Sequence, residues 1–396
     1  MSPIAENKQG LKVLVAGSVL QLFLGIIYVW SVFVNPVSEF YAWDPAGVKL
    51  TSSFMLCFFV VGILIGGKFQ MKTGSEKVVL VGGLMLAAGM LATAFLTREV
   101  AWLMYVTYGI VGGFGVGAGY NAIISAAQKW FPQNRGFATG VSVCAFGFST
   151  VIFAPLIEAL IQRFGLRSTF LILAAGFFVV VVALFRFIRL PDESAPAGAP
   201  SAALLAKRQY TVTEAIKTKE FYCITLSLML ATAVFFILNP SFKTFAAERG
   251  LGESIGTIIV MLTGVANALG RLGAPLLSDK MGREKAALTI ILATAVCALL
   301  LCFAQGFLFM ATIAVIAFCY GGYSGIYPVL TADYFGIKNV GSNYGAVMMG
   351  FALSALTFPM IIGMISNVTA KFIVLASLAA VGVVLMILLI ATKKKE

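Results

Sequence analysis

Apolar residues in this chain come in long runs, and polar residues are largely confined to the short breaks between them. A helix rising about 1.5 Å per residue needs about 20 apolar residues to cross the hydrocarbon core of a bilayer. Reading the runs at that length predicts twelve spanning helices, over residues 11–34, 47–69, 78–97, 100–127, 136–160, 168–190, 221–242, 254–278, 285–304, 306–331, 341–366 and 371–392. The first run is too long for the core of a signal peptide, so it is expected to remain as a span. Lysine and arginine then set the orientation. With the N-terminus inside, 20 of the 28 fall on the inner side of the spans and seven on the outer side. Cytoplasmic segments carry such an excess of basic residues, so both termini are expected in the cytoplasm. The one left over, Arg271, lies on neither side.

Composition narrows the class. The 396 residues are 60% hydrophobic and 11% charged, with a mean hydropathy of +0.98, whereas soluble domains are about 45–50% apolar and about 25% charged. This is an all-α membrane protein, and the lipid bilayer is its first partner. The net charge of +12 reflects topology and an anionic inner leaflet, so no nucleic acid is needed to account for it. All six cysteines lie in apolar spans without metal-ligand spacing, and histidine is absent. The cysteines read as small packing residues. No metal or cofactor is expected, and the acid–base groups an enzyme would need are missing.

The chain also repeats itself. Asn35-Pro36 recurs as Asn239-Pro240, Gly74-Ser-Glu-Lys77 as Gly282-Arg-Glu-Lys285, and Trp130-Phe131 as Tyr334-Phe335, at offsets of 204, 208 and 204 residues. Three landmarks in one order at nearly one offset predict two six-helix bundles, residues 1–190 and 221–396. Residues 191–220 would form a cytoplasmic linker, with a short amphipathic helix near 212–219. Parallel repeats of this kind place a substrate site between the halves near the midplane.

Candidate chemistry centres on Arg271. It stands eight residues before Asp279 and eleven before Gly282, about 12–16 Å inside the boundary, where half the hydrocarbon thickness is about 15 Å. A charge at that depth is costly and usually faces a bundle interior or a wet cavity. It could pair with a neighbouring acid or with a bound anion. The sixteen acids all lie at or near span ends, Glu158 being the deepest, so the expected counter-ion is a ligand. Asn267, one helical turn earlier, could hold the arginine's rotamer, bond the same ligand, or tie helices together.

The glycine-rich fourth span is no dinucleotide loop, because no strand precedes it. Gly109, Gly113 and Gly117 instead form a small-residue stripe for close helix packing. Tyr120 and Asn121 follow it near the midplane, with Tyr320 and Tyr323 at similar depth in the tenth span. These tyrosines, with Tyr28 and Tyr327, are either ligand contacts or packing residues whose hydroxyls need partners.

Gly273-Ala-Pro-Leu-Leu-Ser278-Asp279-Lys280-Met-Gly282-Arg283 resembles the cytoplasmic loop signature of the major facilitator superfamily, which locks neighbouring helices. In its first-half copy Met71 replaces the aspartate. Leu24-Gly25-Ile-Ile-Tyr28-Val-Trp30-Ser-Val-Phe33 and Lys129-Trp130-Phe131-Pro132-Gln-Asn-Arg135-Gly136-Phe-Ala138-Thr-Gly140 resemble motifs of the monocarboxylate transporters and oxalate/formate-type exchangers within that superfamily. The resemblance implies the major facilitator fold, and it implies that Arg271 is the eighth-helix arginine that binds the substrate carboxylate.

Two residues depart from the proton-coupled members, which usually have an aspartate at the position of Asn267 and a lysine in the first helix; no lysine occurs between Lys12 and Lys49. Oxalate-type relatives would need a second cation in the eleventh helix, where this chain has Met348, Met349, Gly350 and Phe351. The expected function is secondary active transport of small monocarboxylates of the lactate and pyruvate class, with a proton as co-substrate, by a monomer in the plasma (inner) membrane. Exchange of organic anions is the alternative, and a membrane sensor that binds an organic acid without moving it is a third reading. The expected binding set is Arg271, Asn267, Tyr120, Asn121, Tyr323, Tyr28 and Phe351.

Overall fold

A computed structural model of the chain describes residues 8–191, 208–238 and 253–393. The Asn239-Pro240 landmark, residues 192–207 of the linker, and the outer cations Lys243 and Arg249 lie outside the described residues. The chain is built from helices, and among the described residues there is no strand. In order they are α1 (Lys8–Tyr41), α2 (Pro45–Thr73), α3 (Ser75–Ala94) and α4 (Arg98–Trp130). The long helix Arg135–Leu184 breaks at Gly165, where φ is +77°, into α5 (135–164) and α6 (166–184). Next come α7 (Lys219–Leu238), α8 (Glu253–Met281) and α9 (Arg283–Leu300). The chain closes with α10 (Gly306–Phe335), α11 (Val340–Gly363) and α12 (Val368–Lys393). Among the described residues, nine stretches are long and apolar enough to cross a membrane, one of them holding both α5 and α6. With α8 and α9 these make up the twelve helices predicted.

The helices overrun the apolar runs in several places. The first span was expected to end at 34, before Asn35-Pro36, but α1 continues to Tyr41 and stops at Ala42, which has φ +53°. Pro36 removes one helical bond, yet Phe33, Val34, Val37 and Tyr41 are all buried, so packing carries the helix past it. Within α1, Gly25–Val29 tightens to a 3₁₀ turn. The start of α4 is irregular too, with a π-helical stretch over Tyr105–Gly112. In the linker region, Val212–Ala215 forms a short helix capped reciprocally by Thr211 and Glu214.

Two compact units result. One comprises Met1–Ala138, Ala145–Gln209 and Gly336–Ala346; the other comprises Thr139–Cys144, Tyr210–Phe335 and Val347–Glu396. In the first, the small-residue stripe of α4 packs on α2. A Cβ at Gly113 would lie 2.5 Å from the Met55 carbonyl oxygen, and one at Gly117 would lie 1.9 Å from that of Phe59. In the second, the loop signature behaves as a lock. Arg283 pairs with Asp279, reaches Asp333 of α10 at 3.5 Å, and donates to the Ser278 hydroxyl at 2.9 Å. Gly74 and Gly282, the matching turn residues of the two repeats, share one backbone conformation, with φ +88° and +94°.

Candidate functional site

Arg271 is 1% exposed and lies ten residues before the end of α8. Its Nε donates to Asn267 Oδ1 at 2.9 Å. One turn of helix separates the two residues, so the amide fixes the plane of the guanidinium. The rotation of α8 is set by its contact with α10, where two glycines bring the backbones together. A Cβ at Gly270 would lie 1.9 Å from the Phe318 carbonyl oxygen, and one at Gly321 would lie 2.0 Å from that of Asn267. Pro275 adds a third contact, its ring filling the space a side chain at Gly325 would take.

Residues 139–144 at the start of α5 pack on the backbone of α8 beside Arg271. The Cys144 thiol donates to the Ala268 carbonyl at 3.5 Å, and a Cβ at Gly140 would stand 3.3 Å from the Arg271 carbonyl oxygen. Sequence reasoning passed over this stretch. Its cysteine read as packing, and its glycine belongs to the 129–140 motif, which was the available signal.

The other candidates sort into separate clusters. Phe351, 7% exposed, meets Phe236 edge-on at 4.9 Å and stacks toward Tyr320 at 6.4 Å. Tyr320 in turn stacks on Phe235 at 3.9 Å. Three residues beyond Phe351 on α11, the Ser354 hydroxyl is buried without a partner among the described residues. Tyr323 points elsewhere: its hydroxyl bonds Thr294 and the Ile290 carbonyl of α9. Tyr327 likewise bonds Ser227 of α7 at 2.9 Å.

In the first unit, Tyr28 and Tyr120 meet through one ring. Phe146 is edge-on to Tyr28 at 5.5 Å and to Tyr120 at 4.8 Å. Tyr28 belongs to the 3₁₀ turn of α1, and a Cβ at Gly25 there would lie 2.2 Å from the Phe146 carbonyl oxygen. Asn121 is occupied by backbone: its amide nitrogen donates to the Ile63 carbonyl at 2.9 Å and to that of Gly341 at 2.8 Å. The structure therefore brings Arg271 to Asn267, Phe351 to Tyr320, and Tyr28 to Tyr120, while Tyr323 and Asn121 hold helices.

A fixed, buried guanidinium flanked by an amide is suited to a small carboxylate, which accepts two parallel N–H bonds from such a fork. The comparisons with known proteins bear on the class. The sequence model of the Major Facilitator Superfamily matches residues 15–307 and 224–396. The chain belongs to the major facilitator superfamily. Among its relatives is an uncharacterized transporter of this superfamily type, YhjX of Escherichia coli, 24% identical over 90% of this chain and 88% of its own length. The oxalate:formate antiporter of Oxalobacter formigenes is 24% identical over 81% of this chain and 76% of its own. Monocarboxylate transporter 12 of Xenopus laevis is 23% identical over 86% and 79%. Among solved structures, the human organic anion transporter MFSD10 superposes with a TM-score of 0.71 over 96% of this chain and 99% of its own, at 15% identity. That likeness speaks to the fold of this superfamily member.

Proposed function

We propose that this protein is a secondary active transporter of small monocarboxylates, of the lactate and pyruvate class, working by alternating access with a proton as co-substrate. The observation that carries the proposal is Arg271, a buried residue, 1% exposed, within α8, whose guanidinium is held through Nε by Asn267. A buried charge of this kind is retained at a cost and marks a substrate path in membrane helices. The relatives named as monocarboxylate transporters and as an oxalate:formate antiporter support organic anions as the substrate class. Selection of one carboxylate over two follows from α11, whose residues Val340–Gly363 contain no cation.

In this reading the six-helix halves, 1–190 and 221–396, move about the 191–220 linker in the plasma (inner) membrane, with both termini cytoplasmic and the chain acting as a monomer. Asn267 orients the arginine. Phe351 and Tyr320 line the apolar end of the substrate, and Tyr28 and Tyr120 contribute from the first half. Asn121 and Tyr323 position their helices. No carboxylate stands near Arg271 in the sequence, so the proton travels with the substrate or through a peripheral acid.

The second reading is anion exchange, favoured by the antiporter relative and by Asn267 where a proton-relay aspartate would stand. Uptake of labelled lactate into liposomes holding the purified protein separates the two. Accumulation in empty vesicles under an inward proton gradient supports symport. Uptake only into vesicles preloaded with an organic anion assigns exchange. No saturable uptake in either arm would refute transport of this class.

A further inference from the structure

At one end of the first unit, Lys8, Gln9 and Lys12 of α1, Trp130 of α4, and Arg186 and Arg189 beyond α6 line an open cleft of about 430 Å³. Four cations share this space. Among the described residues its one ion pair joins Arg189 Nε to Glu76 at 3.1 Å, which leaves positive charge in excess. The cleft has a built floor, because the Trp130 indole donates to the Arg189 carbonyl at 2.7 Å and ties the segment after α6 to α4. Nothing in the transport reading uses this cluster.

The surface beside the cleft is apolar. On α1, Leu11, Val15 and Val19 are 42%, 58% and 38% exposed, and on α6, Val179 and Val182 are 62% and 43% exposed. A ligand filling both regions needs an anionic head and hydrocarbon chains. Basic pockets at the cytoplasmic ends of membrane helices suit the phosphate of lipid headgroups. Arginine supplies a planar fork for phosphate oxygens and lysine a point charge. We propose that this cleft is a binding site for the phosphate headgroup of an anionic phospholipid, with its chains lying along α1 and α6. Inorganic phosphate presents the same oxygens without the chains, so the two sources can be told apart.

The test is thermal unfolding of the purified full-length protein in detergent, with phosphatidylglycerol, phosphatidylcholine of matched chains, or inorganic phosphate added at equal phosphate concentration. Phosphatidylglycerol should raise the midpoint more than either of the others. Lys12→Gln combined with Arg186→Gln should remove at least half of that rise, and Lys338→Gln, a cation outside the cleft, should keep it. Equal stabilisation by phosphatidylcholine, a full effect from inorganic phosphate alone, or an undiminished rise in the double variant would each overturn the proposal. So would an equal loss in Lys338→Gln. Should the double variant fail to fold, native mass spectrometry of Lys12→Gln serves instead: fewer retained phosphatidylglycerol molecules than wild type support the site, and an equal number refutes it.

Discussion

Replacing Arg271 by lysine keeps the charge and removes the geometry. The guanidinium is buried, and its Nε already serves Asn267 Oδ1 at 2.9 Å, which orients the fork. Lysine cannot keep that bond and present two parallel donors to a carboxylate, so one charge-assisted hydrogen bond to the substrate is lost. Such bonds are worth about 1.5–3 kcal/mol, and each 1.4 kcal/mol is about tenfold in affinity. Arg271→Lys should therefore weaken lactate binding about 10–100-fold while the protein stays folded. Arg271→Gln removes the charge as well and leaves the bound anion without a counter-ion, at a further cost of about 3–5 kcal/mol, which should abolish measurable binding. Titration calorimetry of the purified variants gives the dissociation constants, and thermal unfolding checks that each is folded. Wild-type affinity in a folded lysine variant would remove Arg271 from the site.

Oxalate or malonate should bind at least about 100-fold more weakly than lactate, since a second buried carboxylate would stay unpaired at about 3–5 kcal/mol. Phe351→Lys should move preference toward dicarboxylates, and competition against labelled lactate reads both effects. Asn267→Asp should weaken lactate binding at neutral pH: the new carboxylate is charged above its ordinary value of about 3.9, pairing with Arg271 lowers that value further, and the charged group competes with the substrate for the guanidinium. Wild-type lactate affinity in Asn267→Asp at pH 7 would contradict the pairing. Gly321→Ala places a Cβ 2.0 Å from the Asn267 carbonyl oxygen, and the overpacking should cost about 1–3 kcal/mol, read as a lower unfolding midpoint together with weaker lactate binding.

Much of the fold was legible because the bilayer imposes one rule on the sequence, a long apolar run for each crossing. Arg271 stood out for the same reason, as a charge at a depth where charges are expensive. Helix rotation was harder to read. Tyr320 and Tyr323 lie three residues apart at similar depth, yet Tyr320 stacks on Phe235 while Tyr323 bonds α9. Depth follows from counting along the chain, whereas facing depends on which neighbours press on the helix. Asn121 shows the same limit: its amide nitrogen is taken by carbonyls of residues 63 and 341, one of them 220 positions away. The stretch at 139–144 beside α8 was hidden likewise, because a glycine and a cysteine carry no charge to signal their position.

The most direct test of proton-coupled monocarboxylate transport is uptake of labelled lactate into liposomes in which the pH gradient and the membrane voltage are set independently. One anion moving with one proton carries no net charge. Uptake should rise with an inward proton gradient at zero voltage, stay at the exchange-free baseline under voltage at equal pH, and vanish in Arg271→Gln. Uptake driven by voltage with pH clamped, or persisting in Arg271→Gln, would contradict the account.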